Sequence, residues 1–203
     1  MKLEETNILL FGKDWPKEQI YSPANYFGNA APVELEIGCG KGKFLVERAQ
    51  ESPERNFIGI DRVGKWMKTG DRRGSSRQLS NIIFMKAEAL EFLKILEPAC
   101  VEAIHMYFPD PWPKRRHRRR RLFTADFLGL LYSKLKSGGL IELATDDTDY
   151  FSQMKQSVEQ APIVWASRRE TLNERICHGH LKTNYESKFA AVGRNLYYLE
   201  LEK

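Results

Sequence analysis

The sequence predicts an α/β fold, a mostly parallel sheet with helices on both faces. Three observations predict it. From residue 32 onward, short apolar runs alternate with stretches of helical spacing. The first run, Val33 to Ile37, leads into a glycine turn, Gly38-Cys39-Gly40-Lys41-Gly42. Acidic residues stand where later runs end, at Asp61, Glu88 and Asp110.

Each element follows from local pattern. Val33 to Ile37 reads as a strand, and a helix follows the glycine turn to about Gln50. Asn56 to Ile60 is a second strand, closed by Asp61. Val63 to Arg73 is helical and rich in basic residues, and Ile82 to Met85 is a third strand. Ala87 to Leu96 has helical spacing, with acids in its first turns where the helix dipole favours them. Ala103 to Phe108 is a fourth strand that enters the turn Asp110-Pro111-Trp112-Pro113. Phe123 to Leu135 is a helix stopped by Ser137-Gly138-Gly139, and Leu140 to Ala144 is a fifth strand. Asp147 to Gln160 is helical, Ile163 to Ala166 is a short strand, and Leu196 to Leu201 is the last. Residues 1–31 mix Trp15, Tyr21, Tyr26 and Phe27 with Pro, Asn and Gly, and read as an N-terminal arm or loosely packed extension. Residues 32–203 then form the main domain.

A chain of 203 residues buries roughly 70% of its unfolded surface, enough for a core without disulfides or metals. Its apolar content of 42% and charged content of 29% are ordinary for a globular protein. Cys39, Cys100 and Cys177 are far apart and form no Cys-x-x-Cys pair, so neither a disulfide framework nor a zinc ribbon is supported. Reduced, cytoplasmic thiols are expected. No apolar run approaches the roughly 20 residues of a membrane span. Cys177-His178-Gly179-His180 lacks a fourth ligand and suitable spacing, so no metal is expected. The histidines carry no other signal.

In an open α/β sheet, ligands bind outside the carboxyl ends of the strands. Gly38, Gly40 and Gly42 allow a tight turn and close backbone approach there. A dinucleotide fingerprint needs Gly or Ala at position 43, which is Lys43. The Gly-x-Gly-x-Gly spacing fits S-adenosylmethionine, which has no pyrophosphate to cradle. Asp61 is placed to accept from ribose hydroxyls and Glu88 from an adenine amino group. Glu36 is placed to face the positive end of the cofactor. Any one of these acids alone reads as a solvated charge or a cap; four at successive strand ends read as a site.

The densest charge lies in mid-chain. Seven of the eight residues from Lys114 to Arg121 are Lys or Arg, in a chain of net charge +5. Such a field attracts polyanions through counterion release. Arg62, Lys65, Lys68, Arg72 and Arg73 recur at helical spacing and extend the footprint. Trp112 is expected to pack as a core anchor, with a wall for a base as the alternative.

Together these residues resemble the bacterial tRNA (guanine-N7-)-methyltransferase family. Leu35 to Gly42 is similar to its cofactor turn, and Phe108 to His117 to its most specific signature. Ala144-Thr145-Asp146-Asp147 and Thr183-Asn184-Tyr185-Glu186 are similar to two more. The resemblance implies a Rossmann-like class I methyltransferase that contacts S-adenosylmethionine through Glu36, Asp61, Glu88 and Asp110. It implies substrate contacts at Lys114, Asp146, Thr183, Asn184, Tyr185 and Glu186, with Asp110, Asp146 and Glu186 nearest the chemistry. RNA would lie along Arg116, His117, Arg118, Arg119, Arg120 and Arg121, and the product would be 7-methylguanosine at tRNA position 46. Asp61 stands where the family more often has Glu, and Glu88 where it has Asp or Asn. Other readings remain: the same fold acting on another nucleic acid or on protein, or a non-catalytic RNA-binding relative. A nicotinamide dehydrogenase is disfavoured by Lys43 and the basic block.

Overall fold

In the computed structural model, which describes residues 8–10, 20–178 and 180–203, eight strands form one sheet. They are β1 (Ile8–Leu10), β2 (Val33–Ile37), β3 (Asn56–Asp61), β4 (Ile82–Lys86), β5 (Val101–Tyr107), β6 (Leu135–Thr145), β7 (Ser167–Leu172) and β8 (Tyr197–Glu202). Their order in space is β1-β4-β3-β2-β5-β6-β8-β7. Both pairings of β8 are antiparallel, and the other strand pairings are parallel. The order reverses between β2 and β5. In a doubly wound sheet, the crevice outside their carboxyl ends is where ligand binds.

The helices are α1 (Pro23–Phe27), α2 (Lys43–Glu51), α3 (Gly64–Ser76), α4 (Ala89–Ile95), α5 (Ala125–Lys134), α6 (Thr148–Gln160) and α7 (Asn184–Ala191), with a 3₁₀ helix at Arg115–Arg120. On one face of the sheet, Leu35, Ile58, Ile104, Ile141 and Leu199 pack under Phe92 of α4, Leu128 of α5 and Met154 of α6. On the other, Phe57, Ile82 and Phe84 meet Leu45 and Ala49 of α2 and Met67 of α3. Burying each such side chain contributes roughly 1.5–3 kcal/mol.

The sequence places the parallel strands well and the far edge less well. Ile163 to Ala166 is not a strand; the edge strand is β7, beginning at Ser167. Its Arg168, Arg169 and Glu170 are exposed, and charge on an edge strand discourages pairing with other chains. β6 begins at Leu135, earlier than its apolar run, through a register shift between Val101 and Ala103. α5 begins at Ala125, because the Thr124 side chain accepts from the Phe127 N–H at 3.2 Å and caps the helix. Within the segment read as an arm, Tyr21 is fully buried and stacks on Tyr26 with ring centroids 4.2 Å apart. β1 adds an edge to β4. Trp15 lies outside the described residues.

Candidate active site

The glycine turn joins β2 to α2. Gly38, Gly40 and Gly42 have φ of 79°, 51° and 62°, all in the left-handed region that favours glycine. The Gly38 and Cys39 N–H groups both donate to the Ile60 carbonyl, at 2.8 and 3.1 Å. Asp61 closes the turn from β3: Oδ2 accepts from the Gly40 N–H at 3.0 Å and Oδ1 from the Val63 N–H at 2.7 Å. The glycines differ in purpose. A Cβ on Gly42 would lie 2.7 Å from the Phe84 ring, whereas one on Gly38 or Gly40 would meet nothing within 4 Å. Gly42 thus serves helix packing, and the other two leave open space above the strand end.

Glu36 Oε2 has no hydrogen-bond partner among the described residues, although the residue is only 4% exposed. Burial pushes its carboxyl up to about 8, against the pull of His105 and Arg175. An orphaned buried acceptor beside open glycines fits a cationic, hydrogen-bonding ligand. Glu88 is exposed after β4, with its Oε1 3.6 Å from Arg62. Asp110 is exposed in the turn after β5.

A second group of residues gathers beyond β5 and β6. Phe108 packs on Phe189 with centroids 5.6 Å apart, which ties the chain just before the Asp-Pro-Trp-Pro turn to α7. Asp146 follows β6 and pairs with Arg194, just beyond α7. Thr183 and Glu186 form a reciprocal capping box at the start of α7. Glu186 Oε2 accepts from the Thr183 N–H at 3.1 Å and from Arg175 at 2.9 Å, and Oε1 from the Tyr198 hydroxyl at 2.8 Å. Arg175 also lies over the Tyr107 ring at 4.2 Å. Arg175, Lys182, Glu186 and Tyr198 line a cavity of about 300 Å³. Asn184 and Tyr185 are exposed beside Glu186 in the chain, and Lys114 is exposed just after the Asp-Pro-Trp-Pro turn. Sequence reasoning missed Arg175, Arg194 and Tyr198, since nothing in their local pattern marks them.

Beneath both groups runs a buried polar row. Glu36, His105, Glu142 and Glu200 are register partners across β2, β5, β6 and β8, and the exposed Arg169 of β7 continues the register. His105 meets Glu142 through Nδ1 at 2.8 Å and Glu34 through Nε2 at 3.1 Å. Burial alone would lower its pKa, but these two carboxylates outweigh burial and raise it to about 9. In the same way burial would raise Glu142, and the His105 and Tyr107 hydrogen bonds bring it down to about 2. The Cys177 thiol donates to Glu200 at 2.8 Å, and burial pushes its pKa up to about 12. His105 thus has a structural role that the sequence did not signal.

The basic block folds as the 3₁₀ helix, and its arginines from Arg115 to Arg120 are exposed. Two expectations need correction. Arg121 does not face solvent with its neighbours. It is 4% exposed and donates to the Pro111 carbonyl at 2.7 Å, Gln153 at 2.8 Å and Asp149 at 2.6 Å. It thereby ties the acidic turn to α6. Trp112 is not a core anchor: it is half-buried, with Arg120 over its ring at 4.8 Å and His117 edge-on at 5.9 Å.

Fold and site together define a class I S-adenosylmethionine-dependent methyltransferase. Solved structures share the architecture. The 16S rRNA methyltransferase KamB matches with a TM-score of 0.64 at 16% identity, over 91% of this chain and 94% of that one. An antibiotic-related methyltransferase matches at 0.61 with 20% identity, over 95% and 96%. A family model described as a putative methyltransferase matches residues 30–199. The tRNA (guanine-N(7)-)-methyltransferase of Rubrobacter xylanophilus is 34% identical, over 89% of this chain and 80% of its own. That of Geobacillus thermodenitrificans is 33% identical over 94% and 95%, and that of Bacillus subtilis 30% over 90% and 89%. The chain belongs to the tRNA (guanine-N(7)-)-methyltransferase family. Among the described residues, no helix is long and apolar enough to cross a membrane.

Proposed function

We propose that this enzyme methylates N7 of the guanine at position 46 in the tRNA variable loop, in the cytoplasm. The reading is carried by one juxtaposition. Phe108, two residues before Asp110, packs on Phe189 of the helix that carries Glu186, and exposed arginines follow in the chain.

S-adenosylmethionine, when bound, supplies an electrophilic methyl group on a sulfonium. Glu36, Asp61, Glu88 and Asp110 would hold it, with the turn kept open by Gly38, Gly40 and Gly42. Guanine N7 carries a lone pair and no proton, so the site needs no general base. Its work is alignment, together with stabilising the positive charge that arrives on the purine. Asp146 and Glu186 accept from guanine N1–H and the exocyclic amine. Glu186 Oε2 already has two donors and Oε1 has one, which leaves Oε1 an acceptor position. Adenine, with a different donor edge, is rejected. Lys114, Thr183, Asn184 and Tyr185 frame the substrate, and Arg116 to Arg120 with His117 hold RNA. The guanine must leave its stack, at lowest cost in a loop.

Incubation with unmodified tRNA and labelled S-adenosylmethionine, followed by nucleoside analysis, tests this. The expected product is 7-methylguanosine, lost when guanine 46 is replaced. Any other labelled nucleoside, or tRNA binding without methyl transfer, would refute the reading.

A further inference from the structure

Trp112 is a bulky residue at φ 44°, in the left-handed region that such residues rarely adopt. It stands between Pro111 and Pro113, and a residue before proline is normally extended. Backbone held this way at a site edge must be over-determined by its surroundings, here by the Arg121 bond to the Pro111 carbonyl. This backbone does not serve to bury the indole. The ring joins none of the three buried apolar clusters among the described residues. Its partners are Arg120 over the ring and His117 at its edge, both from the 3₁₀ helix.

We infer that Trp112 is a stacking platform for one RNA base flanking the methylated guanine. Arg120 holds the place of that base in the free enzyme. This deepens the tRNA reading above and rests on it. A guanidinium over a partly exposed indole is a weak contact. A nucleobase stacked on the same ring is a stronger one, and sequence-tolerant because every base has a π-face. The exchange also frees Arg120 for a phosphate, so each partner ends in a better contact. The flanking base, rather than the guanine itself, is the fitting occupant. The carboxylates that read guanine, Asp146 and Glu186, are engaged with Arg194, Arg175 and Tyr198 and not with Trp112.

The test combines protein and RNA changes. Trp112→Leu and Trp112→Phe are assayed on tRNA, and on two transcripts with an abasic nucleotide 5′ or 3′ of the target guanine. Trp112→Leu should lower kcat/KM on intact tRNA by about tenfold, the scale of one lost base stack, and Trp112→Phe should retain most of the activity. One of the abasic transcripts should cost the wild type about the same factor and cost Trp112→Leu nothing further. S-adenosylmethionine affinity by calorimetry should be unchanged in both variants. Losses that multiply on both abasic transcripts, or a weakened cofactor affinity in Trp112→Leu, would overturn the platform. A wild type that methylates tRNA normally in the same assay shows that the failure lies with Trp112 and not with the enzyme's function.

Discussion

Arg175 Nη2 donates to Glu186 Oε2 at 2.9 Å, and both side chains are 3% exposed. A pair sealed this deeply holds α7 to the loop before it. Removing one partner strands the other charge in low dielectric, which typically costs 3–5 kcal/mol. Arg175→Met should therefore lower the unfolding free energy by about that amount in urea titrations, with Arg175→Met/Glu186→Leu recovering part of the loss. A single variant within about 1 kcal/mol of wild type would show the pair to be dispensable.

Asp146 is expected to act on the substrate and not on the cofactor. Asp146→Ala should reduce kcat by about 10²-fold, in the range seen when one preorganised polar contact to a transition state is lost. Calorimetric affinity for S-adenosylmethionine should stay at the wild-type level. Parallel losses in turnover and cofactor affinity would reassign Asp146 to the cofactor side.

The arginine block divides into two kinds of residue. Replacing Arg116, Arg119 and Arg120 together with Gln should weaken tRNA binding and flatten the log–log salt slope by about 2–3. Fold stability should hardly change. Arg121→Gln should do the opposite. It removes a buried clamp on Pro111, Gln153 and Asp149, at a cost of roughly 1–3 kcal/mol discounted for the exposure of Asp149. Equal salt slopes before and after the triple replacement would remove the block from the RNA interface.

Stability should fall toward alkaline pH. His105 titrates at about 9 in the folded protein, above the usual 6.5, so its contribution is complete below 6.5 and is lost as pH rises toward 9. Glu36 titrates at about 8 rather than 4.5, so what its bound proton contributes is also lost on the alkaline side, between 4.5 and 8. Glu142, held at about 2, acts in the other direction and is lost only as pH falls from 4.5 toward 2. Melting scans should show Tm declining from about pH 6.5 to 9, with a shallower decline in His105→Gln. Identical slopes in the two proteins would mean that His105 is not the titrating group.

Gly42→Ala should destabilise more than Gly40→Ala. Both residues have positive φ, worth about 1–2 kcal/mol against a Cβ. Only Gly42 adds a clash, with Phe84 and with the Gly70 backbone. Gly40→Ala should instead be felt mainly in cofactor affinity, since its Cβ would enter the open space. Denaturation and calorimetry on the two variants separate these effects.

The half of the fold around the glycine turn is written locally. β2 alternates apolar residues with glutamates, β3 and β4 are short runs rich in Ile and Phe, each is ended by glycine or by a charged residue, and this local pattern already defines them. The other half depends on tertiary contact. β7 reads Ser-Arg-Arg-Glu-Thr-Leu and is a strand because β8 offers it a ladder, not because of any alternation. Thr183-x-x-Glu186 was legible as a capping box, so the start of α7 could have been placed from spacing alone. The burial of Arg121 was not legible, because its partners lie 28 and 32 residues away on α6 and nothing in an arginine run singles out its last member.

The position of β8 between β6 and β7 sets an order of assembly. A nascent chain that has reached residue 172 already carries the residues of β7, yet they have no sheet neighbour until Tyr197–Glu202 arrives. Tyr198 on that late strand also completes the hydrogen bonds of Glu186. Strands β2 to β5 need nothing from it, so the crevice beyond the glycine turn can take shape during synthesis, while the cavity beside Glu186 waits for the final strand to thread home.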